Sequence, residues 1–134
     1  MAEKKVSLNW NAETKFTAKN KSGAEIRLNQ QGAVGASDLL PISLIGCSSY
    51  DVVEILEKQR QELKQLNVTA EAVQDDDPPW RFRKIHIHFQ AVGRGLDPEK
   101  VRRAILLSEE KYCAVYVTLR DAIEITHDVE VLEG

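Results

Sequence analysis

The chain has 134 residues, 43% hydrophobic and 29% charged, with a net charge of -3; this is ordinary composition for one globular domain, residues 1–134, able to bury a core without disulfide or metal staples. A slightly acidic chain lacks the basic surface that grips phosphate backbones, so nucleic acid is not expected as a partner. The N-terminal MAEKKVSLNW has no apolar run of the secretory kind, and the longest charge-free apolar stretch, Leu39 to Tyr50, is too short to cross a bilayer, so a cytoplasmic protein without membrane association is expected.

VSLNW, KFTAK and AEIRL alternate apolar and polar residues, with turn-forming NKSG between the second and third, and predict an antiparallel meander over the first 30 residues. After the loop QQGAVGAS, one long helix is expected from Asp38 to roughly Lys64, apolar almost all round in its first half and charged in its second. With Asp38 as N-cap, Pro41 falls at the third helical position, where its missing N–H would have had no intrahelical partner. NVTAEAVQ (67–74) and RFRKIHIHFQAV (81–92) alternate with period two around DDDPPW, predicting a hairpin with an acidic tip. GRGLDP breaks the chain, and Asp97 followed by Pro98 starts a second amphipathic helix through VRRAILLSEEKYC. AVYVTL is expected to be helical, and AIEITHDVEVL a last strand. The class is α+β, a mostly antiparallel sheet with two principal helices on one face.

The two cysteines, Cys47 and Cys113, do not form a structural disulfide framework in such a compartment, which leaves buried thiols or redox chemistry. Helical spacing puts Ser43, Tyr50 and Asp51 one turn from Cys47, with Leu44 and Ile45 making the surroundings apolar. Burial and a carboxylate at i+4 both raise a thiol pKa, so a reactive Cys47 requires an added cation; without one, inert packing is the simpler reading. Cys113 is expected near the end of the second helix. If the helices lie side by side the thiols meet, which is the arrangement a two-thiol peroxidase requires.

His86 and His88 share a polar strand face with Lys84 and Gln90, a face that explains them without a metal, and His127 is far away in sequence. DDDPPW lacks calcium-loop spacing and reads as a solvated hairpin tip. No hydrolase signature is present, and no cofactor is expected.

DLLPISLIGCSSYDVVEIL resembles the first central helix of the OsmC/Ohr family, in which an acidic residue, Leu-Leu and a small-residue run precede Gly-Cys, with Asp-Val-Val in one branch. LSEEKYCAV, EITHDVEV and GRGLDPEKVRRAI are similar to that branch's second-cysteine helix, terminal strand and helix entry. The resemblance covers the chain from about Phe16 onward and implies an OsmC-like fold, with antiparallel sheets wrapping paired central helices in an intertwined homodimer. It also implies thiol-dependent reduction of organic hydroperoxides, with Cys47 attacking, Cys113 resolving and a dithiol as reductant. Asp38 stands where the family usually has Glu, a carboxylate that orients an arginine against the thiol. At the arginine's position the alignment puts Lys21, which supplies the charge without the bidentate fork; Arg27 is a second candidate, though more simply a solvent-facing strand residue. The alternative is a noncatalytic dimeric binding or redox-sensing protein of the same fold.

Overall fold

The computed structural model describes residues 1–134, which divide into two units, Met1–Leu40 and Pro41–Gly134. In the first unit, β1 (Val6–Ala12), β2 (Lys15–Asn20) and β3 (Glu25–Leu28) form the expected antiparallel meander in the order β1-β2-β3. Glu13 makes the β1–β2 turn in the left-handed region (φ 51), and the indole N–H of Trp10 donates to its carbonyl at 2.9 Å. At the β2–β3 turn, Asn20 Oδ1 accepts from the backbone N–H groups of Ser22 and Ala24, local side-chain bonding that explains why NKSG turns. Val6, Leu8 and Trp10 alternate onto one face of β1, and all three are exposed.

Helix α1 spans Leu39–Lys58, starting where the sequence places it but ending six residues before the expected Lys64. The cause is a left-handed residue at its C-terminus. Arg60 has φ 57, its N–H bonds the Glu57 carbonyl, and the Gln61 N–H reaches back to Leu56, the paired pattern of a Schellman motif. The polar residues 62–64, counted as helix from charge alone, instead begin strand β4 (Glu62–Gln74).

β4 pairs antiparallel with β5 (Phe82–Arg94), and β6 (Glu124–Glu133) pairs parallel with β5. The expected α+β class with mostly antiparallel pairing is borne out, the strands dividing into two three-stranded sheets of which the second is mixed. A parallel return needs a crossover, supplied here by helices α2 (Pro98–Leu107) and α3 (Ala114–Leu119) with the turn between them. The N-cap of α2 is as expected: Asp97 accepts from the Glu99 N–H at 3.0 Å, with Pro98 next.

Period-two alternation gives this second sheet one apolar face. Ile85, Ile87, Phe89 and Ala91 of β5 are essentially fully buried, and in register beside them stand Ala72, Ala70, Val68 and Leu66 of β4 and Ile125, His127, Val129 and Val131 of β6. The buried stripes Leu44, Ser48, Val52 and Leu56 of α1 and Val101, Ala104 and Ile105 of α2 complete the core. Their spacings of three and four place each set on one helix face.

Candidate functional site

Cys47 and Asp51 lie one turn apart on α1, and the buried Ser48 lies between them. The apolar stripe of α2 continues one turn on to Ser108, which is fully buried. There the helix widens into a π turn, Ser108–Tyr112, closed by the Cys113 N–H donating to the Ser108 carbonyl at 2.8 Å. Such turns are rare and recur at functional positions. Cys113 therefore lies at the end of the second helical segment, where the sequence placed it, and just outside the helix. It is an extended residue (φ -85, ψ 100) that caps α3, its sulfur accepting from the Tyr116 N–H at 3.3 Å.

The π turn carries Cys113 to Cys47. The two sulfurs and a carboxylate oxygen of Asp51 all lie within 4.8 Å of one another. Ser108 Oγ donates to Asp51 Oδ2 at 2.7 Å and lies 3.5 Å from Ser48 Oγ, so the carboxylate is oriented from the second helix. Cys113 is fully buried, while Cys47 is partly exposed.

Burial pushes the Cys113 thiol up to about 12, and hydrogen bonding to Cys47 together with the charges of Cys47 and Asp51 act in the same direction; the Tyr116 N–H pulls the other way. The Asp51 charge thus opposes a thiolate at Cys113, after burial and the neighbouring Cys47.

A second polar cluster holds the π turn from behind. Glu109, nearly buried, pairs with His127 Nδ1 at 3.1 Å, and the His127 ring stands edge-on to Phe89 with centroids 6.2 Å apart. Its pKa is raised, chiefly by the hydrogen bond to Glu109. The Tyr116 hydroxyl is also raised, first by burial and then by the Glu109 charge.

On the opposite sheet face, His86 Nε2 meets Asp128 Oδ1 at 2.8 Å, while His88 meets Asp128 at 3.1 Å and Glu130 at 3.3 Å. These pairs join neighbouring parallel strands and are exposed. His127 points to the other face, so the three histidines do not converge. At the hairpin tip the Arg83 guanidinium pairs bidentately with Asp75, both distances 2.8 Å.

Asp38 and Lys21 belong to the first unit. Asp38 ends a short 3-10 turn, Ala36–Asp38, and its Oδ2 accepts from the Gly35 N–H at 3.0 Å, so the carboxylate folds back upstream of α1. Lys21 is exposed in the β2–β3 turn, where with Lys4 and Lys5 it lines a hollow of 540 Å³ that contains no thiol. A cleft of 320 Å³ in the second unit reaches Asp51 and is otherwise lined by Glu54, Ile55, Lys58, Gln59, Leu107 and Tyr112.

Sequence reasoning brought out Cys47, Asp51 and Cys113 but missed Ser108 and the Glu109–His127 pair. Ser108 was detectable as the next member of the Val101, Ala104, Ile105 stripe. The histidine pair depends on the parallel placement of β6, for which the local pattern carries no signal.

A family model described as OsmC-like protein matches residues 29–128. The chain belongs to the OsmC-like family. Among curated proteins it is 36% identical over 120 residues to protein YhfA of Escherichia coli K12, covering 87% of this chain and 90% of that one. The structure of a hypothetical protein from Aquifex aeolicus superposes with a TM-score of 0.85 at 29% identity, covering 98% of both chains. The fold extends to the organic hydroperoxide resistance protein OhrB of Bacillus subtilis, with a TM-score of 0.65 at 13% identity over 96% of this chain and 98% of that one. At that identity the likeness concerns the fold alone.

Proposed function

We propose that this OsmC-like protein is a thiol-dependent peroxidase acting on organic hydroperoxides, with Cys47 as the attacking sulfur and Cys113 as the resolving one. The observation that carries the reading is the approach of the two sulfurs, from different helical segments, to within 4.8 Å. Cys47 is the more accessible of the two, which suits it to meet the peroxide. Its thiolate attacks the terminal peroxide oxygen; the O–O bond breaks, the alkoxide leaves and takes a proton to become the alcohol, and Cys47 becomes a sulfenic acid. The Cys113 sulfur then attacks Cys47. The S–S bond forms, the S–O bond breaks, and the hydroxyl leaves as water with the proton of Cys113. A dithiol reductant restores both thiols and is itself oxidised to a disulfide. By the family resemblance the activating cation would fall at Lys21 and its carboxylate at Asp38, a weaker pair than the family's arginine and glutamate. Two free thiols suit a reducing compartment, the cytoplasm.

A homodimer is part of the proposal. The segment Ala36–Lys58 has a mean hydropathy of 1.5 in its most apolar window, yet only 22% of that window is buried. Ile42, Tyr50 and Val53 of α1 are exposed, as are Val6, Leu8 and Trp10 of β1. A second copy is the cover these surfaces call for. Light scattering is expected to give a dimer at micromolar concentration; a stable folded monomer near 15.1 kDa would remove this part.

One observation favours a different reading. The dithiol sits beside Asp51 with Cys113 pushed up to about 12, which suits a protein that binds a small molecule and keeps its thiols protonated. Steady-state turnover of an organic hydroperoxide with a dithiol reductant decides between them. Turnover that saturates with peroxide and disappears in Cys47→Ser supports the peroxidase, and no turnover above that of free cysteine supports the noncatalytic protein.

A further inference from the structure

From the convergence of Cys47 Sγ, Cys113 Sγ and the Asp51 carboxylate, with Ser108 orienting that carboxylate, we propose that the reduced protein binds one Zn²⁺ per chain at this site. The reading is independent of peroxidase activity.

The three donor atoms lie within 4.8 Å of one another. Tetrahedral zinc, with Zn–S about 2.3 Å and Zn–O about 2.0 Å, needs its ligand atoms roughly 3.3 to 3.8 Å apart. The donors are thus within about an ångström of the required spacing, a difference that side-chain rotation of Cys47 and Asp51 can close. Two of the donors stand one helical turn apart on α1, and the third is fixed by the π turn and by the Tyr116 N–H. The first two come from α1, and the third from the one-residue junction between the π turn and α3.

The donor set then selects the ion. Two sulfurs and one carboxylate are too soft for Mg²⁺ or Ca²⁺, which take oxygen ligands, and suit a thiophilic d¹⁰ cation. Three protein donors leave one tetrahedral position open. Ser108 Oγ bonds Asp51 Oδ2 at 2.7 Å, the outer-shell contact that ligating carboxylates characteristically have, and leaves the other carboxylate oxygen to turn toward the ion.

Electrostatics explains why the same residues that discourage a thiolate welcome a metal. Asp51 beside two sulfurs is a like-charge problem for either thiolate alone. A dication at the centre reverses each term: the carboxylate becomes a ligand, and both thiols give up their protons on binding. The process is balanced as two thiols and Zn²⁺ going to a zinc dithiolate and two protons. Because the ion occupies both sulfurs, a zinc-loaded chain cannot form the Cys47–Cys113 disulfide, and an oxidised chain cannot bind zinc.

Cobalt provides the test, since Co²⁺ takes zinc sites and reports their geometry. The full-length, fully reduced, metal-free protein is titrated with Co²⁺ and followed by absorbance. Expected are saturation at one Co²⁺ per chain, the intense visible bands of a tetrahedral ion, near-ultraviolet thiolate-to-cobalt charge transfer, and bleaching on addition of Zn²⁺. Zinc addition in weak buffer is expected to release close to two protons per ion at neutral pH. Cys47→Ser and Cys113→Ser should each lose charge-transfer intensity, Asp51→Asn should weaken zinc binding, and Ser108→Ala should weaken it by about tenfold. The wild-type disulfide form, which needs no core substitution, should take up no cobalt, whereas His88→Ala should keep the full spectrum. The proposal is overturned if folded reduced wild type gives only the weak spectrum of six-coordinate cobalt. It is equally overturned if the charge-transfer intensity is undiminished in both cysteine variants, or if the bands vanish in His88→Ala.

Discussion

The exposed sheet face and the dithiol corner, both in the second unit of this protein, solve opposite problems. On the exposed sheet face, His86 and His88 meet Asp128 and Glu130 across a pair of parallel strands, so the charges are complementary: His88 is raised by Asp128 and Glu130, and Asp128 is lowered by the two histidines. In the dithiol corner the groups are alike in the sign they would carry. Cys113 is buried beside Cys47 and Asp51, both of which oppose its ionisation, while the Tyr116 N–H favours it. The first cluster satisfies itself in water and asks for nothing further. The second is stable only while its thiols stay protonated or while something positive arrives, and clusters of that kind are where chemistry is found.

The largest expected effect separates the two regions outright. Cys47→Ser should abolish peroxide turnover, and Cys113→Ser should accumulate sulfenic acid on Cys47, whereas Asp128→Asn should leave turnover unchanged; a labelled-sulfenate assay alongside turnover checks all three. An equal loss of activity in Asp128→Asn would mean that the comparison has the wrong region.

Next in size is the effect of the carboxylate on the thiols. Asp51→Asn removes a like charge, so the Cys113 pKa should fall from about 12, and each unit of that fall means about tenfold more thiolate at neutral pH. Thiolate absorbance against pH in the reduced variant measures it. An unmoved titration would show that Asp51 does not act on the sulfur.

A smaller effect is expected at the pair behind the π turn. His127 has its pKa raised by Glu109, so the pair's contribution to stability is fully present below the ordinary histidine value of about 6.5 and is lost as pH rises through the higher folded value. His127→Gln should therefore destabilise the protein more at acidic pH than at alkaline pH. Thermal unfolding across that range checks the sign.

The smallest effect belongs to the sheet-face pairs. Asp128→Asn should shift the unfolding midpoint slightly at low salt and less at high salt, because exposed ion pairs are screened.

The sequence exposed more of the site than of the connections that build it. Cys47 and Asp51 were legible because helical spacing relates them directly, and the α2 start was legible because Asp97-Pro98 is a local signal. The end of α1 was not: Arg60 adopts a left-handed conformation that a glycine would have advertised, and the charges after Lys58 extended the helical pattern past its end. Period two found β6 but could not say that it joins β5 in parallel, and with that strand went the Glu109–His127 pair. The π turn was hidden for a similar reason. SEEKY continues a helical pattern, and only the bond from Cys113 back to Ser108 shows that the helix widens and delivers the second sulfur.

In the proposed reaction Cys47 and Cys113 of one chain are chemical partners. Mass spectrometry of the reduced protein after one equivalent of an organic hydroperoxide, digested without reduction, tests it most directly. A Cys47–Cys113 peptide pair within a single chain is expected, formed in wild type and absent from either serine variant. Recovery of Cys47 in a higher oxidation state with Cys113 still free, or of both thiols unreacted, would contradict it.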